Sequence, residues 1–352
     1  PRQSAAADTQ ASEQVARRSR QASAAFDPDE ELTRILIDQQ LKQRTHSMEL
    51  FSLGACRFML GFVKKVLIAD SLAPMGTVIL GSSEPQMVDA WFGMLICLLQ
   101  LYFDFSGYSD MAIGLGLMMG FRFMENFRQP YVSQSITEFW RRWHISLSTW
   151  LRDYLYISLG GNRGSTFQTY RNLFLTMLLG GLWHGANITY VIWGAWHGMW
   201  LAIERAFGVD AAPRRINPLK WAFTFLLVVV GWVIFRAENL DVAWRMYAAM
   251  FSFGDWRLSE LGAAQLTSLQ VYTLLLAYAV MAWFGIRQFY AEPLDGAPRA
   301  SAVERQGLVG GAAVAVPVYG VLLGRVLLLL LFVASILKLS AQSFSPFLYF
   351  QF

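Results

Sequence analysis

Residues Ala90 to Phe121 read AWFGMLICLLQLYFDFSGYSDMAIGLGLMMGF, and their formal charges are Asp104 and Asp110 alone. A helix rises about 1.5 Å per residue, so about 20 such residues cross the hydrocarbon core of a bilayer. The stretch is therefore membrane material. Its one polar interruption is DFSGYSD, Asp104 to Asp110. Ser106 and Gly107 weaken a helix at that point, and Ser109 or Asp110 is placed to cap a second helix starting at Met111.

The rest of the chain repeats the pattern. Of 352 residues, 55% are hydrophobic and 15% charged, against about 25% charged in an ordinary soluble domain. Residues 219–235, 271–289 and about 308–339 supply further spans, the last long enough for two. Residues 51–69 carry apolar residues at helical spacing together with Arg57, Lys64 and Lys65. They read as an amphipathic helix whose basic side chains snorkel to an interface. The fold class expected is all-α: a polytopic integral membrane protein with transmembrane, re-entrant and interfacial helices. Residues 1–35 are rich in Ala, Ser, Gln and Arg and form a disordered or atypical segment. Residues 36–352 form one membrane domain. The chain begins with proline, and we read it as a fragment of a longer protein.

Charge sets the expected orientation. Residues 122–171 hold seven arginines against three acidic residues, whereas 236–270 hold three basic and four acidic. By the positive-inside rule the first segment faces the cytoplasm and the second the far side. If 204–220, with four basic residues and two acidic, is also cytoplasmic, then 172–203 enters and returns, as two short spans or a re-entrant hairpin. The net charge of +4 is carried between apolar runs, which fits lipid and not nucleic acid. Within 122–171, Trp140, Trp143, Leu147, Trp150, Leu151 and Tyr154 recur at three and four residues, with Arg141, Arg142 and Arg152 off the stripe. One interfacial helix carrying His144 is the expected result.

Two histidines stand inside the apolar GGLWHGANITYVIWGAWHGMW, Gly180 to Trp200. Intramembrane ionisable groups are rare and usually functional, although a histidine packed between helices is the competing reading. Glycines at 180, 181 and 185 leave His184 room for a second backbone or a substrate, and Asn187 is within reach to orient its ring. A neutral imidazole in an apolar cavity is a general base. His197 is thirteen residues on, about 220° around a continuous helix, and is flanked by bulky tryptophans. It reads as structural. His144, Asp104 and Asp110 have packing or capping explanations as good as catalytic ones. The arginines 141 and 142 suit anionic lipid or a phosphate-bearing donor.

Other chemistries lack their motifs. There is no phosphate-binding G-x-x-x-x-G-K-[ST], no H-E-x-x-H and no G-x-S-x-G. Cys56 and Cys97 share no metal-ligand spacing, and neither a metal nor a disulfide is expected. DFSGYSD is a faint candidate for the serine turn of an intramembrane protease.

Three longer blocks carry more information: YFDFSGYSDMAIGLGLMMGFRFMENFRQPY, SITEFWRRWHISLSTWLRDYLYISLGGNRG and RNLFLTMLLGGLWHGANITYVIWGAWHG. Together they resemble the membrane-bound O-acyltransferase family, and within it the subfamily that acetylates alginate. The resemblance runs from about residue 42 to SAQSFSPFLYFQF at the end; the several N-terminal spans of that family have no counterpart here.

The resemblance implies His184 as the active-site residue and His144 as a second histidine near a channel. Asn187, Asp104, Arg141 and Arg142 are candidates for substrate or donor binding. It implies acetyl transfer from a cytoplasmic donor, acetyl-CoA, with no bound cofactor, across a bacterial inner membrane. Periplasmic acetyltransferase components then place the group on alginate mannuronate. Cellulose or another exopolysaccharide as acceptor, or a non-enzymatic conduit or assembly subunit, stay open as alternatives.

Overall fold

The computed structural model describes residues 44, 46–209, 216–253, 256–291 and 318–341. The expectations for residues 1–35 and for a span starting near 308 lie outside them. The described residues form helices and no strand, so the all-α expectation is borne out.

The first helix, α1 (Met48–Val63), starts at Ser47, whose side chain accepts the Leu50 N–H at 3.1 Å. It continues through a π-helical turn, Lys64–Ala69, into α2 (Asp70–Leu80). The long α3 (Met87–Met118) then runs antiparallel to α1. Their contact is written in glycine. Gly54 and Gly61 share one face of α1, and Gly107 and Gly114 share one face of α3. A Cβ on Gly114 would sit 2.6 Å from the Gly54 carbonyl oxygen, and one on Gly107 2.7 Å from that of Gly61. Only glycine lets the two backbones approach this closely.

That contact corrects two expectations. DFSGYSD is not a break: α3 runs through it, because Gly107 is needed for helix packing and the tertiary contact overrides its weak propensity. Nor do Asp104 and Asp110 cap a helix. They meet the basic residues of α1 and of the π-helical turn after it, which pair inward and do not snorkel. Asp110 binds Arg57 and Lys64, each at 2.6 Å, and Arg57 also reaches Glu125. Lys65 is buried between Asp70 at 2.5 Å and Asp104 at 2.9 Å.

The aromatic stripe is also not one helix. It is divided into α4 (Ile136–Arg142), α5 (Ile145–Trp150) and a π-helical turn, Leu151–Tyr156. Between α4 and α5, Trp143 is extended and His144 is left-handed, with φ +45°. Trp140 and Trp143 turn into the core, whereas Trp150 and Tyr154 are exposed. The segment is too bent to lie as a single amphipathic rod.

Next comes the hairpin expected for 172–203. Helix α6 (Thr166–Trp183) opens on a Ser165–Gln168 capping box, and α7 (Ile188–Ala206) opens on Asn187. Glycines again set the packing. A Cβ on Gly181 would strike the Tyr190 carbonyl, and one on Gly194 the Met177 carbonyl. Helix α8 (Pro218–Arg236) follows, started by Asn217 with Pro218 in the first turn. It is succeeded by α9 (Leu240–Met250), α10 (Glu260–Ala264), α11 (Ser268–Ala291) and α12 (Val318–Ser340).

Among the described residues, four helices are long and apolar enough to cross a membrane: Met87–Met118, Pro218–Arg236, Ser268–Arg287 and Leu322–Ser340. Their surroundings differ. Most of α3 is buried inside the protein, whereas α11 and α12 present Leu269, Tyr272, Leu322, Leu323 and Leu330 outward. Exposed apolar faces of that size belong against lipid or another apolar surface.

Candidate active site in an aromatic chamber

Helices α3 to α8 enclose a chamber lined by Leu101, Trp140, Trp143, His144, Leu147, His184, Trp193, Trp232 and Phe235. The cavity they leave is small, about 10 Å³, room for roughly one water molecule. Two of its nine lining residues are histidines, from segments forty residues apart, and the others are apolar or aromatic.

His184 arrives at the end of α6. Its N–H bonds the Gly181 carbonyl at 3.0 Å, and the chain turns through Gly185 into Asn187 and α7. Four rings frame the imidazole: Trp183 at 5.0 Å, Trp193 at 5.3 Å, Phe235 at 5.2 Å and Tyr190 at 6.2 Å between centroids. The first three stand edge to face against it.

His144 arrives from the α4–α5 break. The segment after α3 holds that break like a short strand: Arg128 N–H bonds the Arg142 carbonyl, and Ile145 N–H bonds that of Asn126. Asn126 also places its side-chain oxygen 3.1 Å from His144 Nδ1. Phe105 of α3 covers the ring edge-on at 4.8 Å. From the other side, Glu204 at the end of α7 accepts the Ile136 N–H, the Thr137 N–H and the Thr137 hydroxyl. With Ser135 bonding Glu138 N–H, this fixes the start of α4.

The family model for MBOAT, the membrane-bound O-acyltransferase family, matches residues 35–238, which include every wall of the chamber. The chain belongs to the membrane-bound O-acyltransferase family. It is 70% identical over 331 residues to the probable alginate O-acetylase AlgI of Azotobacter vinelandii, covering 91% of this chain and 66% of that protein. It is 67% identical to the probable alginate O-acetylase AlgI of Pseudomonas aeruginosa, with 90% and 66% covered. The peptidoglycan O-acetyltransferase of Helicobacter pylori is 43% identical over 60% of this chain and 41% of its own length. The chain thus spans just under two thirds of the curated relatives it matches best among these.

Within this acyltransferase-family chain, the other anticipated residues take different places. Asn187 does not serve the His184 ring. Its side-chain oxygen caps α7 at Thr189 N–H, and its amide donates to the Glu238 carbonyl at 2.8 Å. Asp104 is held by Lys65 and lies outside the chamber lining. Arg142 is buried, pairs with Glu138 at 2.9 Å and donates to the Arg128 carbonyl, so it is not a solvated charge facing lipid. Arg141 is exposed on α4, outside the lining. Of the second backbone or substrate expected beside the His184 glycines, protein is what is found: Gly181 faces the α7 backbone, Gly180 faces Leu151, and Gly185 faces the Tyr190 ring.

His197 stands behind the chamber wall. It is 1% exposed, stacks on Phe139 and accepts the Trp140 indole N–H at Nδ1. A helix turn alone would point it away from His184; the hairpin instead sets both against Trp193.

Sequence reasoning missed Asn126, Glu204 and Trp193. The indole N–H of Trp193 is a buried donor in the wall with no acceptor among the described residues. Nothing local distinguishes these three; each acts across 18 residues or more, or through the hairpin.

Proposed function

We propose that the chain is an O-acyltransferase whose reaction centre is this chamber. It moves acetyl from a cytoplasmic donor, acetyl-CoA, across a bacterial inner membrane, and periplasmic partners place it on alginate mannuronate. The observation that carries the reading is the convergence of His144 and His184 on one apolar chamber in a chain of this family. The activities for which the relatives are named, on alginate and on peptidoglycan, support acetyl as the group moved and a polymer hydroxyl as its destination.

The chemistry follows from the lining. The acceptor's hydroxyl oxygen attacks the thioester carbonyl carbon as His184 takes the hydroxyl proton. The tetrahedral intermediate then collapses, the C–S bond breaks, and coenzyme A leaves as the free thiol, its sulfur taking that proton from His184. A positioned base contributes about 10² to 10⁴ in rate. The indole N–H groups of Trp193 and Trp232, both buried in the wall without an acceptor among the described residues, are the donors suited to charge growing on the carbonyl oxygen. Residues 122–171 face the cytoplasm in this reading, so the donor enters from the side of the His144 break.

A direct test uses inverted inner-membrane vesicles from cells producing the full-length protein and its partners. Acetyl-CoA carrying labelled acetyl is supplied outside the vesicles. Label on polymer within them is the expected result. Label that stays on coenzyme A, with the protein abundant, overturns the reading.

The serine-protease alternative loses its premise. Ser106 and Ser109 sit on the continuous α3 and not in a glycine turn, and neither lines the chamber.

A further inference from the structure

The contacts around Asn126 determine which nitrogen of His144 carries its proton. The Ser146 backbone N–H lies 3.2 Å from one terminal atom of the Asn126 carboxamide. A backbone N–H can only donate, so that atom is the carbonyl oxygen. The opposite end of the carboxamide donates to Ser109 Oγ at 3.0 Å, which agrees. The same oxygen accepts the Ser146 hydroxyl at 2.9 Å and lies 3.1 Å from His144 Nδ1. Facing an oxygen that can only accept, Nδ1 must bear hydrogen. Ser146 Oγ, 3.3 Å from the same nitrogen, has spent its proton on Asn126 and can only accept as well. The lone pair of His144 is therefore on Nε2.

We propose that Asn126 is a positioning residue that fixes His144 as its Nδ1–H tautomer, so that Nε2 serves the chamber as a hydrogen-bond acceptor. The proposal rests on the reading of this chamber as the reaction centre. Asn126 performs a second task with its backbone, bonding Ile145 N–H across the α4–α5 break. Ring orientation and tautomer are thus set by one residue, anchored through Ser109 to α3. An imidazole in the wrong tautomer presents a donor where an acceptor is needed.

The test is spectroscopic and kinetic. The full-length protein, labelled with [15N]histidine and placed in lipid nanodiscs, is examined by long-range 15N–1H correlation, with His144→Gln assigning the signal. His144 is expected as Nδ1–H in the parent protein. In Asn126→Leu that signal gives way to Nε2–H, and kcat falls by about 10² with KM unchanged. Asn126→Leu added to His144→Gln lowers activity no further. Asn126→Asp, which keeps an accepting oxygen, retains the Nδ1–H signal and guards against a misfolded leucine variant. An Nε2–H His144 in the parent, or full kcat in a well-folded Asn126→Leu, overturns the proposal. Because the tautomer is read without turnover, failure of the acyltransferase reading alone would leave the spectrum unchanged.

Discussion

His144 and His184 share a neighbour outside the chamber lining, the exposed indole of Trp183, whose ring lies 6.4 Å from the first imidazole and 5.0 Å from the second. One histidine is held by a kink between two short helices, the other by the end of a long one. The geometry of the pair thus depends on parts of the chain far from either residue, and those parts supply tests.

Glu204 is the first. It gathers two backbone N–H groups and a hydroxyl at the start of α4 from the end of α7. Glu204→Ala leaves those donors buried without an acceptor, at about 1–3 kcal/mol for each unsatisfied group. The expected outcome is a lower thermal unfolding midpoint in detergent and a smaller fraction of active protein. Glu204→Gln, which keeps one accepting oxygen, should fall between. An unchanged midpoint for Glu204→Ala would show that α4 is held by Ser135 alone.

The α1–α3 contact gives a steric prediction. Gly107→Ala places a methyl 2.7 Å from the Gly61 carbonyl. Forcing the helices apart costs about 1–3 kcal/mol. Membrane abundance should drop, and Gly107→Leu should drop it further. Equal abundance for all three would mean that the helices separate freely.

Lys65 tests the buried charges. Lys65→Met removes the ammonium between Asp70 and Asp104, and breaking one side of a buried pair costs about 3–5 kcal/mol. Little folded protein should accumulate. Adding Asp104→Leu should restore part of it, since the anion left behind is the source of the cost. A Lys65→Met protein of full abundance would contradict the assignment of a structural role to this cluster.

Orientation is checked chemically. In a background with the free thiols Cys56 and Cys97 replaced, a single cysteine at Asn162 or Gly164 should resist an impermeant label applied from the periplasm. Ready labelling there would invert the topology.

These tests also mark where the sequence was and was not legible. Apolar length identified α3, α8 and α11, because a bilayer imposes one length on every span. The hairpin of 172–203 was legible from charge alone. The break in the Trp140–Tyr154 stripe was not. The periodicity of that segment is helical throughout, and the left-handed His144 is imposed by Asn126 and Arg128 from another segment. DFSGYSD misled for the same reason: Gly107 looks like a helix breaker until Gly61 is seen against it. His184 does line the chamber, and of the two uses expected for its glycines, a second backbone or a substrate, the first is seen at Gly181, while Gly180 and Gly185 pack against Leu151 and Tyr190. Asn187 looked like a ring-orienting group, yet the residue in that relation to a histidine is Asn126, with His144.

The central claim is that His184 performs chemistry while His197 holds the wall behind it. The decisive measurement is polymer-bound acetyl together with membrane abundance for His184→Ala and His197→Ala. His184→Ala is expected to be inserted and abundant, with its partners recruited and the polymer unacetylated. His197→Ala, which removes a fully packed ring and the acceptor of the Trp140 N–H, should lower abundance, with remaining activity in proportion. Normal acetylation by His184→Ala would contradict the account, and so would an abundant His197→Ala protein that transfers nothing.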